Sequence, residues 1–251
     1  MPAGFCLPAT VFDGDPSVEA IEAAVAQAYA LLGARCGDDE VAVAVRSSGI
    51  DEDAAASSFA GQHDTILDVR GARAVTAAVL AVRESAWSER VRAYRAGQGI
   101  IGDARIAVLV QQLVAADVSI VAFSVDPVRG DRDRIVVNAS WGLGESIVSG
   151  SVTPDTYVIR RSDRTISERS IGSKARMIVA ARDGARDVAV PTLLREGAAL
   201  ADHEIAAVAA LVLDLESELG YPVDIEAAFS GGELHLLQCR PVTTPSWTVG
   251  R

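Results

Sequence analysis

The feature that most constrains the fold is a pair of short segments near the C-terminus, joined by Ser230-Gly231-Gly232. In residues 223–229, every second side chain is apolar, and Asp224, Glu226 and Ala228 lie between these apolar residues; residues 234–240 contain a second alternating set. This is the period of a β-strand. Because glycine adopts the positive φ angles that tight hairpin loops require, the sequence predicts a β-hairpin here.

Four polar residues lie at i, i+2 spacing on the two predicted strands: Asp224 and Glu226 on the first, Gln238 and Arg240 on the second. Carboxylate oxygens bind hard cations, and the guanidinium group of arginine pairs with phosphate oxygens. The set therefore suits a polyphosphate with bound Mg²⁺. The alternative interpretation is an ordinary amphipathic hairpin whose polar face is only solvated.

The register of the hairpin decides whether these four side chains share one face. A two-residue Gly231-Gly232 turn in a regular ladder would put Glu226 and Gln238 on opposite faces. A three-residue loop, residues 230–232, would pair Asp224 with Gln238 and bring all four to one face. We predict the three-residue loop or an equivalent bulge.

The overall composition excludes some partners. The 251-residue chain carries a net charge of −11 and has a pI of about 4.7, which disfavours nucleic acid and anionic membranes because both reward positive charge. We find no signal-like start and no apolar run long enough to cross a bilayer. Cys6, Cys36 and Cys239 are odd in number and widely spaced, which is typical of a reduced, cytoplasmic protein.

Helices and strands alternate along the chain. The periodicity predicts a helix capped by Ser17 and ending near Ala34, with a buried face that includes Leu31. Two further helices are predicted over residues 73–96 and 195–219. Strands are predicted over residues 41–45, 106–110, 119–125, 134–139 and 157–161.

Three other stretches carry candidate functional residues. Arg46-Ser47-Ser48 follows the predicted strand 41–45 into a loop, which is either an anion site or a common exposed strand end. The glycine-rich residues 141–145 have neither P-loop nor Rossmann spacing. Lys174 is in a context more typical of a surface lysine than of a ligand.

Several stretches together resemble the ATP-binding domain of phosphoenolpyruvate synthase and pyruvate phosphate dikinase, which antibiotic (rifampicin) phosphotransferases share. The resemblance covers about residues 2 to 243. The stretches that carry it are Val43-Ala44-Val45-Arg46-Ser47-Ser48, Glu52-Asp53, Ser58-Phe59-Ala60-Gly61-Gln62, Trp141-Gly142-Leu143-Gly144-Glu145, Ser149-Gly150, Pro154-Asp155, Asp224-Ile225-Glu226 and Leu237-Gln238-Cys239-Arg240-Pro241.

The resemblance implies an α/β (α+β) fold of the ATP-grasp type, with mixed or antiparallel sheets and flanking helices. Two subdomains, residues 1–103 and 104–251, are expected to close over a nucleotide cleft. The implied cofactors are ATP and Mg²⁺, with Arg46 and Arg240 as catalytic residues. The implied metal site is Asp224, Glu226 and Gln238. The implied ATP-binding residues are Arg46, Gly61, Thr65, Gln111 (or its neighbour Gln112), Glu226, Gln238 and Arg240.

The implied reaction is a kinase-type transfer of a phosphoryl group from Mg-ATP to a histidine on a separate partner domain or protein. His63, His203 and His235 lack the Thr-Ser-His type context of that histidine. The family's Gly-Gly-Lys segment normally precedes a Pro-x-Gly-Phe stretch, whereas this sequence opens at Pro2-Ala3-Gly4-Phe5. The family usually has a glycine before Phe-Thr, whereas this sequence reads Ile120-Val121-Ala122-Phe123-Ser124 there. The alternatives are a regulatory nucleotide-binding protein without turnover and a stand-alone ATP-grasp ligase or kinase for a small molecule.

Overall fold

The computed structural model describes residues 1–14, 16–49, 65–85, 106–181 and 184–242. The predicted ATP-binding residue Gly61 and the second half of the helix predicted over residues 73–96 lie outside these ranges. The chain divides into two compact units. The first comprises Pro2–Leu113 and Ala181–Ala185, and the second comprises Val114–Ala180, Arg186–Arg251 and Met1.

The first unit contains a four-stranded antiparallel sheet with the strand order β1-β4-β2-β3. Its strands are β1 (Gly4–Leu7), β2 (Val43–Gly49), β3 (Thr65–Val69) and β4 (Ile106–Gln112). A short 3₁₀ helix (Ala9–Phe12) and the helices α1 (Val18–Cys36) and α2 (Ala72–Ser85) complete it. Apolar side chains of α1 and α2 form one core with those of the sheet.

Helix α1 begins and ends where its capping residues predict. The Ser17 hydroxyl accepts a hydrogen bond from the backbone N–H of Ala20 at 3.3 Å, and Gly37 ends the helix with a φ of 70°. The predicted buried face was partly wrong, because Leu31 is 68% exposed. The helical period instead buries a row that turns away from Leu31: Ile21, Val25, Tyr29 and Leu32.

Strand β2 is longer than the sequence pattern indicated. Arg46, Ser47 and Ser48 were predicted to enter a loop, but they continue β2 because β4 supplies partners for each of them. β4 lies between β1 and β2 in the sheet. The first unit includes β4 and extends to Leu113.

The second unit contains a six-stranded antiparallel sheet with the order β12-β11-β5-β6-β7-β8, and a separate two-stranded sheet formed by β9 and β10. The strands are β5 (Val118–Phe123), β6 (Arg134–Trp141), β7 (Asp155–Arg160), β8 (Ile166–Ser170), β9 (Arg176–Val179), β10 (Arg186–Ala189), β11 (Val223–Ser230) and β12 (Glu233–Pro241).

Three helices are described in the second unit: α3 (Glu145–Val148), α4 (Thr192–Arg195) and α5 (Asp202–Leu219). The helix predicted over residues 195–219 therefore begins later, at Asp202. One side of α5 packs on the six-stranded sheet, where its buried residues join those of β11. The predicted class, an α/β fold with antiparallel sheets and flanking helices, is confirmed. Among the described residues, no helix has both the length and the apolar character needed to span a membrane.

Candidate functional site

The hairpin of β11 and β12 has a different turn from the one predicted. Ser230 pairs with Glu233 across a two-residue turn, and Gly231 and Gly232 have φ angles of 58° and 83°. The three-residue loop and the pairing of Asp224 with Gln238 were therefore wrong. The ladder instead contains a bulge, because Ala227 pairs with Leu236 whereas the preceding residue, Glu226, pairs with Gln238.

This bulge brings the four polar residues into two cross-strand pairs, Asp224 with Arg240 and Glu226 with Gln238. Directly opposed residues in antiparallel strands project from the same face, so all four share one face of the sheet. The other face of β11 is apolar, and its side chains enter the core of the second unit: Val223, Ile225, Ala227 and Phe229.

Asp224 is the most buried member of this group. One carboxylate oxygen, Oδ2, accepts a hydrogen bond from Arg240 Nε at 2.8 Å. The other, Oδ1, is buried without a hydrogen-bond partner among the described residues. Burial raises the pKa of Asp224, the guanidinium of Arg240 lowers it, and the nearby carboxylate of Glu226 raises it further. A cation beside Oδ1 would relieve both the missing contact and the repulsion between the carboxylates.

The oxygen atoms of the hairpin group are suitable ligands for a Mg²⁺ ion that also binds a nucleotide. The described residues include no cluster of three or more His, Cys, Asp or Glu side chains that could hold a metal by itself. Mg²⁺ is usually bound by one or two carboxylates together with phosphate oxygens and water, rather than by an all-protein cage. Asp224 and Glu226, with the amide oxygen of Gln238, provide such a partial set.

The first unit contains the remaining predicted residues that the structure describes. Arg46 on β2 and Thr65 on β3 are direct cross-strand partners, so their side chains share a face. Gln111 lies on β4 between Gly4 and Ala44, and only 4% of it is exposed. The structure therefore brings Arg46 close to Thr65, whereas Gln111 is enclosed within the same sheet.

The expected surface lysine, Lys174, is completely buried. Its Nζ pairs with Asp155, which is also fully buried, and donates to the carbonyl of Gly172 at 3.0 Å. Asp155 also accepts hydrogen bonds from the backbone N–H groups of Gly172 (2.9 Å) and Ala199 (2.7 Å) and from the hydroxyl of Tyr157 (3.2 Å). The lysine prediction was wrong because Lys174 holds the connections around β7 together.

Two polar residues that the sequence analysis did not select lie on the same sheet face as the hairpin group. Asn138 on β6 pairs with Thr156 on β7, and the Thr156 hydroxyl donates to Asn138 Oδ1 at 2.9 Å. Both side chains are half-buried. The available signal was a single amide inside the otherwise apolar run of residues 135–139.

A cavity of about 540 Å³ lies elsewhere in the second unit, between β8 and the start of α5. Its lining includes Ile159, Arg164 and Ile205. It contains none of the hairpin residues, and two of its polar side chains, Arg169 and Asp202, already form an ion pair with each other. We therefore assign the candidate site to the hairpin face.

The fold and the hairpin together define a mixed α/β domain with an oxygen-rich face suited to a metal-bound polyphosphate. The family model described as "Pyruvate phosphate dikinase, AMP/ATP-binding domain" matches residues 10–249. The chain therefore belongs to this ATP-binding domain family, as the resemblance implied.

The similar proteins include two phosphoenolpyruvate synthases and a transferase. The chain is 40% identical over 228 residues to a protein named "Probable phosphoenolpyruvate synthase" from Methanocaldococcus jannaschii, covering 90% of this chain and 19% of that protein. It is 39% identical to the phosphoenolpyruvate synthase of Pyrococcus furiosus (88% and 28% covered). It is 37% identical to the prodigiosin synthesizing transferase PigC of Serratia marcescens (84% and 24% covered). The chain thus spans less than a third of the length of each of these relatives.

Proposed function

We propose that this chain binds Mg-ATP and is the phosphoryl-donor component of a phosphotransferase, passing a phosphoryl group to a histidine on a partner domain or protein. The observation that carries the proposal is the bulged register of the hairpin, which groups Asp224, Glu226, Gln238 and Arg240 on one face. Membership in an ATP-binding domain family, and the names of the similar proteins, support the same function.

Each residue of the hairpin group has a role in this proposal. Glu226, Gln238 and Asp224 hold Mg²⁺, which neutralises phosphate charge when it is bound. Arg240 is aligned by its hydrogen bond to Asp224 and pairs with a phosphate oxygen. In the transfer, the unprotonated nitrogen of the partner's imidazole forms a P–N bond, a P–O bond of the nucleotide breaks, and the remaining nucleotide leaves with the bonding electrons on its oxygen.

Arg46 supplies a second cation in the proposal, with Thr65 beside it on the neighbouring strand. The chain has a net charge of −11, so phosphate binding depends on a few locally placed arginines and on the metal. A charge-assisted contact is worth about 1.5–3 kcal/mol. Arg46→Ala or Arg240→Ala should therefore weaken Mg-ATP binding roughly ten- to a hundred-fold.

Isothermal titration calorimetry of the intact chain with Mg-ATP tests the proposal. Arg35→Ala, at an exposed arginine in the last turn of α1, is the matched control and should leave the affinity unchanged. Excess EDTA should weaken binding of ATP, because two carboxylates facing a polyphosphate repel it without a bridging cation. If both active-site variants and the EDTA sample bind as tightly as wild type, the hairpin face is not the ATP site.

Product analysis then separates transfer from binding alone. Incubation with radiolabelled ATP and a separately produced phosphohistidine-type domain should label that domain in an acid-labile, base-stable form. Mg-ATP binding without labelling of any such domain would favour a regulatory nucleotide-binding protein. Turnover with a small acceptor in the absence of a partner would favour the stand-alone ligase or kinase.

A further inference from the structure

A row of cross-strand partners crosses the sheet at the level of the Glu226–Gln238 pair. Glu226 pairs with Val121 on β5, Val121 pairs with Asn138 on β6, and Asn138 pairs with Thr156 on β7. Because directly opposed residues project from the same face, all of these side chains lie on the face that carries Glu226. Each of them is half-buried, so none is sealed inside the core.

Asn138 has uncommitted hydrogen-bond donors on this face. Its Oδ1 accepts from the Thr156 hydroxyl at 2.9 Å, which fixes the orientation of the amide group. Thr156 lies on the β7 side of Asn138, whereas β5 and the hairpin strands lie on the opposite side of β6. In the described part of the chain, Nδ2 has no protein acceptor. An amide with two unused N–H donors suits an anionic oxygen.

The spacing of the row fits a ligand held by the hairpin. Asn138 and Glu226 are two strands apart, which corresponds to about 9.5 Å. Only the uncharged side chain of Val121 lies between them in the row. A polyphosphate that starts at Glu226 can therefore extend across Val121 without meeting another carboxylate in this row.

We propose that Asn138 is a further nucleotide-binding residue whose Nδ2 donates to a phosphate oxygen of the ligand held at Glu226 and Gln238. Thr156 is a positioning residue that acts through the orientation of the Asn138 amide. This inference rests on the proposed function, because it places the phosphates of ATP on the hairpin face. It adds a neutral donor to a site whose other members are carboxylates, an amide and an arginine.

Calorimetry with Mg-ATP, and with adenosine as a phosphate-free probe, tests the role of Asn138. Asn138→Ala should weaken Mg-ATP binding about ten-fold and leave adenosine binding unchanged, because the lost contact is to phosphate. Ser170→Ala is the matched control. Ser170 pairs with Thr156 one strand further from the hairpin, so this variant should bind Mg-ATP like wild type.

A double-mutant cycle tests the positioning role of Thr156. Thr156→Val keeps the shape of the side chain but removes its hydroxyl, and it should weaken Mg-ATP binding about three-fold. In the Asn138→Ala background the same change should have no further effect, because there is no amide left to orient. Additive losses, or a loss of adenosine affinity, would contradict the inference.

A Glu226→Gln variant separates failure of this inference from failure of the proposed function. If Glu226→Gln abolishes Mg-ATP binding while Asn138→Ala has no effect, the hairpin binds ATP and the role of Asn138 is refuted. If the wild-type protein does not bind Mg-ATP, or if Glu226→Gln binds it normally, both proposals fall. Thermal unfolding of each variant verifies that the fold is intact.

Discussion

The buried pair of Lys174 and Asp155 yields the sharpest prediction about stability. Both side chains are completely excluded from solvent, and Asp155 receives hydrogen bonds from the backbone N–H groups of Gly172 and Ala199 as well as from Tyr157. These contacts join β7, the segment after β8 and the segment before α5. Removing one charge leaves the other buried without its partner, which costs about 3–5 kcal/mol.

The two single substitutions should differ in cost. Lys174→Met leaves Asp155 with three neutral hydrogen-bond donors. We therefore expect the free energy of unfolding to fall by about 3 kcal/mol, the lower end of that range. Asp155→Asn leaves the buried ammonium group of Lys174 without a counter-charge, although Lys174 can still donate to the carbonyl of Gly172. We expect that loss to be about 5 kcal/mol. The double variant removes both charges and should be about 3 kcal/mol more stable than the sum of the single losses predicts.

Hydrogen exchange provides the appropriate measurement, because a chain of two units need not unfold in a single transition. The local opening free energy is read at the amides of Gly172 and Ala199, which donate to Asp155. Arg176→Met is the matched control. Arg176 forms a 2.8 Å pair with Asp187 in which both side chains are 57% exposed, so its loss should cost about 0.5 kcal/mol. If Lys174→Met costs no more than Arg176→Met, the reasoning about buried charge is wrong.

Three further predictions concern the close packing around Gly172, the titration of Tyr157 and the register of the hairpin. Gly172→Ala should lower the local opening free energy, read by hydrogen exchange at Ala199, by about 3 kcal/mol or more, because a Cβ there would lie 2.1 Å from the carbonyl oxygen of Thr153. Gly150→Ala, in open space but at a positive φ, should cost about 1 kcal/mol. Burial and then Asp155 raise the pKa of Tyr157 to about 12, so ultraviolet titration should show a phenol that ionises near pH 12 and that is missing in Tyr157→Phe. The stability that this shift contributes should be complete below pH 10 and decline toward pH 12, because the folded state retains a proton that the unfolded state releases. Deleting Leu237 removes the extra residue but keeps Glu226 opposite Gln238 and Asp224 opposite Arg240, so Mg-ATP binding should be retained; loss of binding with an intact fold would contradict the register argument.

The hairpin shows how far the sequence could determine the site. Alternation and Gly231-Gly232 predicted the two strands, but the pattern could not distinguish a three-residue loop from a two-residue turn followed by a bulge. Compared with a regular ladder closed by a two-residue turn, both arrangements leave one residue between Glu226 and Gln238 outside the regular pairing. That one residue determines whether Glu226 and Gln238 lie on the same face of the sheet. The sequence therefore predicted the shared face of the polar residues, although it predicted the wrong partners for Asp224.

Other features depended on contacts that local patterns do not contain. Lys174 is buried because Asp155, 19 residues earlier in the sequence, occupies the adjoining space. Arg46 remains in a strand because β4, far along the chain, supplies hydrogen-bond partners. Asn138 lies beside Thr156 only through the pairing of β6 with β7. In each case the missing information is the tertiary partner, which overrides propensities read from neighbouring residues.

The placement of Asp224 argues that the hairpin face is retained for a ligand. A buried carboxylate oxygen without a hydrogen-bond partner costs about 1–3 kcal/mol, and nothing in the described contacts of Oδ1 offsets that cost. The strand that carries it, β11, is paired on both sides and is anchored by apolar residues such as Val223 and Ile225, which are fully buried. A strand that is paired on both sides thus holds an unfavourable group in a defined position. That combination is typical of binding sites, where the ligand supplies the missing contact.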